Sequence, residues 1–116
     1  MAGATMVANK YQACIDACEK CAQTCYECFE ACINEPDLNT RRNCVKMLIE
    51  CARICETSAA LMSMNGMLAI EQCKMCADIC DSCEKECRLY QDEHCQKCAD
   101  VCRICASECR RMIDMQ

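Results

Sequence analysis

The chain has 116 residues, 19 of which are cysteine, and its formal net charge at pH 7 is -5. This length predicts a single domain over residues 1–116 with one modest core. Acidic and basic residues are mixed along every segment without a basic run, which argues against a nucleic-acid or anionic-membrane surface. The cysteine content exceeds the roughly 8 to 10% that already indicates a disulfide or metal scaffold.

Breaks in the sequence predict four helices joined by short links. Pro36 ends the first cysteine run because proline cannot continue a helix, and Asn39 or Thr40 can cap the next one. An Asn-Gly pair at positions 65 and 66 marks a second break, and Asp92 is expected to cap the last helix. Four helices with short links are typical of an all-α, antiparallel up-down-up-down four-helix bundle. The predicted helices cover residues 5–33, 40–64, 68–90 and 92–115.

The cysteines lie three and four residues apart along these helices. Steps that average 3.5 residues place side chains on the narrow a/d seam that a bundle turns inward. The spacing therefore predicts a core lined by thiols. The second helix is an exception, since Leu48, Ser58 and Met62 occupy positions where the spacing of three and four residues would place further cysteines. The outer surface of this helix also carries more apolar side chains than the outer surfaces of the other helices. This fits either ordinary burial or a contact between subunits.

Residue types and spacing disfavour three explanations for so many cysteines: a purely structural core, disulfides within a helix and a ferredoxin-type cluster. In a purely structural core, Ala, Val or Leu would pack without the risk of oxidation. Cβ atoms three or four residues apart on a helix are roughly 5 to 6 Å apart, whereas a disulfide needs about 3.5 to 4.5 Å. Ferredoxin-type clusters use compact loops, and the cysteine gaps here alternate along helices.

Metal binding fits the spacing, because repeated CxxxC and CxxC pairs let two thiolates one turn apart hold an ion. A Zn²⁺ ion with four thiolates carries two excess negative charges, which are costly inside a dry bundle. Cu(I) is selected by thiolate and thioether and replaces one thiol proton, so a loaded core stays neutral. Charge thus favours Cu(I), with zinc or mixed-metal sequestration and a thiol redox or iron-sulfur electron carrier as alternatives. The predicted ligands are Cys14, Cys18, Cys21, Cys25, Cys28, Cys32, Cys44, Cys51, Cys55, Cys73, Cys76, Cys80, Cys83, Cys87, Cys95, Cys98, Cys102, Cys105 and Cys109.

On these residues the chain resembles the copper storage protein family, and most closely its cytosolic branch. The resemblance covers nearly the whole chain and rests on the repeated CxxxC pairs, the lone His94 and methionines off the seam. It implies a bundle that stores many Cu(I) ions on core thiolates, as a homotetramer in the bacterial cytosol. Residues 1–12 lack the features of a secretory signal, so a cytoplasmic location is expected.

The two ends of the predicted bundle carry additional candidate ligands. His94 at one end and Met62 at the other are weak Cu(I) ligands that are expected to pass ions inward. Scattered hydroxyls and acids, a single His without an identifiable partner and the lack of a phosphate loop predict that the chain is not an enzyme. The first end gathers Cys32, Cys44, Cys87, Cys95 and His94, and the second gathers Cys14, Cys73, Cys109, Met62 and Met112, with Met6, Met64 and Met67 nearby.

Overall fold

The computed structural model describes residues 9–116, and within this range there are helices and turns but no β-strand. Three of the four α-helices have 22 residues and one has 19. At 1.5 Å per residue each helix is about 30 Å long. The elements are α1 (Gln12–Ile33), a 3-10 turn (Leu38–Arg41), α2 (Arg42–Ser63), α3 (Ala69–Cys87) and α4 (Glu93–Asp114).

The helices form a ring in the order α1, α2, α3, α4, and each packs against its two neighbours in that ring. Cys14 at the start of α1 lies 3.6 Å, sulfur to sulfur, from Cys109 near the end of α4. Cys32 at the end of α1 lies 3.8 Å from Cys95 at the start of α4. Neighbouring helices therefore run antiparallel, which confirms the predicted up-down-up-down four-helix bundle.

The core of the bundle consists mainly of thiols. Each of the nineteen cysteines is at most 1% exposed, so the predicted inward seam is confirmed. Sulfur atoms also meet across the diagonal of the bundle, as where Cys21 of α1 lies 4.0 Å from Cys80 of α3. Partly buried side chains such as Phe29, Ile54 and Ile79 pack against this core from the sides. The thiols thus fill one continuous interior.

The first helix begins later than predicted. Residues 5–8 of the predicted helix lie outside the described residues, and residues 9–11 are not helical. The Asn9 side-chain oxygen accepts a hydrogen bond from the Tyr11 N–H at 2.8 Å, and the Asn9 carbonyl accepts one from the Gln12 N–H at 3.0 Å. An asparagine that binds the backbone two residues on favours a turn over a helix.

The predicted cap of the second helix is wrong. Asn39 and Thr40 lie inside the 3-10 turn, and α2 begins at Arg42 with Arg41 in the N-cap position. The Thr40 N–H and hydroxyl both donate to the Asp37 carbonyl, at 2.9 Å and 2.8 Å. This tight turn directs the Arg41 side chain toward the bundle, where the residue is only 5% exposed.

The break predicted at residues 65 and 66 is confirmed and has a defined geometry. The Gly66 N–H donates to the Leu61 carbonyl at 2.8 Å, and the Asn65 N–H donates to the Met62 carbonyl at 3.1 Å. Asn65 has a positive φ of 51°. These bonds form a Schellman motif with asparagine in the left-handed position, which ends α2 after Ser63.

The last link also differs in detail from the prediction. α3 ends at Cys87. The N–H groups of Leu89 and Tyr90 donate to the carbonyls of Glu86 and Cys87, each at 3.2 Å, and these bonds to the third residue before form a tighter turn than the α-helix. Asp92 occupies the N-cap position of α4 as predicted, but its side chain accepts no hydrogen bond from a backbone N–H of the helix. Its carboxylate instead lies 2.6 Å from Nη1 of Arg41.

Among residues 9–116, no helix combines the length and apolar character needed to cross a bilayer.

The reduced, metal-free protein is expected to be folded, because buried thiols pack as small hydrophobes and the apolar flanks support the bundle without metal. Circular dichroism in reductant should show a helix content comparable with that of the metal-loaded protein, and thermal unfolding should be cooperative. A random-coil spectrum of the metal-free chain would contradict this expectation.

Candidate metal centre

Four sets of four sulfur atoms form a connected series in the interior, and the atoms of each set lie within 4.8 Å of one another. Each set shares one or two cysteines with the next, so sixteen ligand positions are filled by twelve sulfurs. We call these twelve cysteines the thiol series. A sulfur that belongs to two sets can bridge two ions. The sets are Cys18, Cys76, Cys105, Cys109; Cys21, Cys55, Cys80, Cys105; Cys21, Cys25, Cys51, Cys102; and Cys25, Cys83, Cys98, Cys102.

Distances within the thiol series suit a metal ion rather than disulfides. Cys55 lies 3.7 Å from Cys76 and 3.8 Å from Cys80, and Cys51 lies 3.8 Å from Cys80. Two sulfurs bound at about 2.3 Å in a tetrahedral site are about 3.8 Å apart, whereas bonded sulfurs are about 2.05 Å apart. All nineteen cysteines are free thiols. An ion can therefore enter such a set with little movement of the helices.

α2 contributes fewer sulfurs than the other helices, as its sequence indicates. Leu48 is fully buried on the seam between Cys44 and Cys51. Ser58 is also fully buried, but its hydroxyl donates to the Ile54 carbonyl at 2.7 Å. That hydroxyl is used by its own helix, so neither position offers a soft ligand.

At one end of the bundle a histidine joins three thiols, in a group that we call the His94 site (Cys28, Cys32, His94 and Cys95). The Cys28 and Cys32 sulfurs are 4.0 Å apart, and the Cys95 sulfur lies 3.9 Å and 3.8 Å from them. Nδ1 of His94 lies 3.5 Å from the Cys95 sulfur and 3.6 Å and 4.0 Å from the other two. Its Nε2 lies 3.3 Å from a carboxylate oxygen of Glu35.

Sequence reasoning missed Arg41, the one charged side chain among the buried residues of the described chain. Its Nε lies 2.7 Å from the Asp37 carboxylate and its Nη1 lies 2.6 Å from that of Asp92. The guanidinium also stacks over the Tyr90 ring at 4.6 Å. These contacts hold the pKa values of both carboxyl groups below their usual range. Two consecutive arginines precede Asn43, and only the 3-10 turn decides which of them points inward.

Arg41 also reaches the His94 site. Its Nη1 donates toward the Cys95 sulfur at 3.6 Å and toward the Cys32 sulfur at 3.9 Å. Burial raises the pKa of the Cys95 thiol to about 12. Burial also raises the pKa of Cys32, and the guanidinium opposes that shift. The thiols are therefore protonated near neutral pH, and a metal ion must displace their protons to bind.

The opposite end brings together the other predicted group. Cys14 lies 3.6 Å from Cys109, and the Cys73 thiol donates toward the Met62 thioether at 3.6 Å. Met62 is fully buried and Met112 is 2% exposed, so both lie in the core, and the Met62 thioether faces a thiol. Of the methionines expected nearby, Met64 and Met67 are exposed to solvent, and Met6 lies outside the described residues.

A four-helix bundle whose interior is a connected series of thiols belongs to the class of cysteine-lined metal-binding bundles. The family model described as "Copper storage protein" matches residues 7–114. The chain therefore belongs to the copper storage protein family. A Cu(I)-bound copper storage protein, BsCsp3, is 38% identical with a TM-score of 0.86, over 90% of this chain and 99% of that chain.

Two further comparisons agree. An uncharacterized cysteine-rich protein of Bacillus subtilis (strain 168), YhjQ, is 39% identical over 76 residues, which are 66% of this chain and 70% of that protein. A cytosolic copper storage protein from Streptomyces lividans, in a structure with five coppers, is 31% identical with a TM-score of 0.85. The match covers 90% of this chain and 92% of that chain.

Arg41→Gln is expected to lower the free energy of unfolding of the reduced apo-protein by about 1 to 3 kcal/mol, because it removes the charge-assisted hydrogen bonds of the buried guanidinium to Asp37 and Asp92 and leaves a buried amide with fewer partners. Arg88 is a matched control, since it pairs with two carboxylates but its side chain is 37% exposed. Arg88→Gln should cost less than about 1 kcal/mol. Urea unfolding measures both changes, and equal losses would contradict a special role of Arg41.

Proposed function

We propose that this chain stores many Cu(I) ions on the thiolates that line its core, in the cytosol, with residues 1–116 acting as one domain. The thiol series carries this proposal, because shared sulfurs suit a store of closely spaced ions rather than one isolated site. The similarity of this chain to a Cu(I)-bound storage protein and to a cytosolic relative that holds five coppers supports the same function.

Charge favours Cu(I) over Zn²⁺ for the interior. The twelve sulfurs of the thiol series belong to cysteines that are fully buried, and the sets they form consist of sulfur alone. A Zn²⁺ ion with four private thiolates would add two negative charges, which a dry interior disfavours. One Cu(I) ion per thiolate adds none, and Cu(I) prefers soft ligands.

All nineteen cysteines are proposed as Cu(I) ligands in the fully loaded protein, whether they lie in the thiol series or at the ends. His94 and Met62 are proposed as weaker ligands, one at each end. Two contacts support their inclusion: Nδ1 of His94 faces three thiols, and the thioether of Met62 faces Cys73. A weak ligand at an end can transfer an ion to the stronger thiolates behind it.

The family is one of storage proteins rather than enzymes, and we infer that this chain catalyses no reaction. Its thiols are proposed to bind and release ions without chemical change. The resemblance to the cytosolic copper storage proteins also leads us to propose a homotetramer. The exposed apolar side chains of Met64, Met67 and Leu68, which lie in the link between α2 and α3, are consistent with contacts between subunits.

Anaerobic titration of the reduced protein with Cu(I), against a coloured Cu(I) chelator, is expected to show uptake on the order of one ion per cysteine, because bridging thiolates and charge balance both favour it. Blocking the thiols by alkylation of the unfolded chain should abolish uptake. Saturation at about four ions, as expected for separate four-ligand sites of the zinc type, would contradict the proposal.

Leu48→Cys is expected to raise the Cu(I) capacity by about one ion, because it places a sulfur at a fully buried seam position. Leu48→Ala is the matched control, since it removes a similar volume but adds no ligand. Both variants lose stability by creating a cavity, up to about 2 to 5 kcal/mol for Leu→Ala. The chelator titration distinguishes them, and equal capacities would show that the seam position does not decide ligation.

A further inference from the structure

The ion pairs of Arg41 do not by themselves explain why this side chain is buried. Arg88 also pairs with two carboxylates, yet its side chain remains 37% exposed. The Arg41 side chain is only 6% exposed, although its partners Asp37 and Asp92 are 47% and 27% exposed. Removing a charge from water is costly unless the charge gains partners in the interior. Arg41 gains two such partners, which are sulfur atoms of the core.

The two sulfurs belong to Cys95 and Cys32, and Nη1 of Arg41 donates toward them at 3.6 Å and 3.9 Å. They lie 3.8 Å apart on α4 and α1, so one guanidinium nitrogen contacts ligands from two helices. A Cu(I) ion that binds replaces a thiol proton, and the sulfur that holds it is a thiolate. Hydrogen bonds between charged partners are stronger than those between neutral groups. The contacts of Arg41 therefore strengthen when this pair of cysteines binds copper.

We propose that Arg41 is a positioning residue for copper: it holds the sulfurs of Cys32 and Cys95 as a pair and stabilises them as thiolates while they bind Cu(I). This inference rests on the proposed storage function and adds to it a residue that is not a ligand. A guanidinium has donors but no acceptor, so it cannot bind a cation and acts only through the two sulfurs. Replacing an outer partner of this kind typically costs about 10- to 100-fold in metal affinity.

The guanidinium is already held in place in the metal-free protein. Its Nε lies 2.7 Å from Asp37, in the link after α1, and its Nη1 lies 2.6 Å from Asp92, in the link before α4. It stacks over the Tyr90 ring at 4.6 Å, and the Tyr90 hydroxyl donates to the Thr40 carbonyl at 3.0 Å. These contacts join the two links across this end of the bundle. Because Arg41 is fixed in advance, little side-chain entropy is lost when copper binds.

The guanidinium also offsets a negative charge beside the copper ligands. Oδ2 of Asp92 lies 3.9 Å from the Cys95 sulfur. Nη1 of Arg41 is in contact with both atoms, at 2.6 Å from that oxygen and 3.6 Å from that sulfur. Without Arg41, a carboxylate would face the Cys95 thiolate with no cation to reduce their repulsion. Arg41→Gln therefore removes a charged donor and leaves two like charges close together.

The test uses the reduced full-length protein, saturated anaerobically with Cu(I) and then exposed to a coloured chelator that sets the free Cu(I) concentration. Arg41→Gln should bind as many ions as the unaltered protein before the chelator is added, because it removes no ligand. The ions held by Cys32 and Cys95 should then be released at a free Cu(I) concentration about 10- to 100-fold higher. The other ions should be released as in the unaltered protein.

Two further variants separate this role from a general effect on the fold. Asp92→Asn breaks the same ion pair but keeps the guanidinium and removes the charge beside Cys95, so copper should be held as tightly as before or more tightly. In a chain that already carries Cys32→Ala and Cys95→Ala, Arg41→Gln should no longer change copper retention. The sulfurs through which Arg41 acts are then gone, and this double-mutant cycle isolates their interaction. Circular dichroism of each metal-free variant checks the fold.

Equal copper retention in Arg41→Gln and the unaltered protein would overturn the proposal. A loss in Asp92→Asn as large as that in Arg41→Gln would also overturn it, as would a loss from Arg41→Gln that persists when both cysteines are replaced. Either result would show that the guanidinium only supports the fold. Failure of the unaltered protein to load copper would overturn the storage function as well, whereas the other outcomes concern Arg41 alone.

Discussion

The need to keep a dry interior electrically neutral governs the chemistry of this bundle. Nineteen thiols lie in a core where each cysteine is at most 1% exposed, so water cannot screen a thiolate there. A monovalent soft cation that replaces each proton leaves the core uncharged. At the end that holds His94, the buried guanidinium of Arg41 donates toward the Cys95 and Cys32 sulfurs and pairs with the carboxylates of Asp37 and Asp92.

The helices and the links make different contributions. The helices present thiols at regular steps, and four such seams in a ring place the sulfurs 3.6 to 4.0 Å apart. The links set the chemistry of the ends. The 3-10 turn points Arg41 inward, and the link before α4 brings Asp92 to it at 2.6 Å. A change in either link would alter the His94 site without disturbing the thiol series.

The sequence was sufficient to predict the features that depend on periodicity. The steps of three and four residues indicated four helices and a thiol core, and the structure shows both. Of the two predicted groups of end residues, it brings Cys32, Cys95 and His94 together at one end. At the other end Met62 faces Cys73, whereas Met64 and Met67 are exposed to solvent. The capping role of Asn39 and Thr40 was wrong, because a 3-10 turn precedes α2. The inward turn of Arg41 and the closeness of Cys28 to His94 were not predicted. Both depend on loop geometry and side-chain direction, which periodicity does not report.

Native mass spectrometry of the reduced protein during anaerobic Cu(I) loading tests the neutrality of the core most directly. The mass of each species gives both the copper ions bound and the protons lost. The account predicts about one proton displaced per copper ion up to saturation, because each Cu(I) replaces one thiol proton. Loss of two or more protons per copper throughout the titration would mean that the loaded core accumulates negative charge, and would contradict the account.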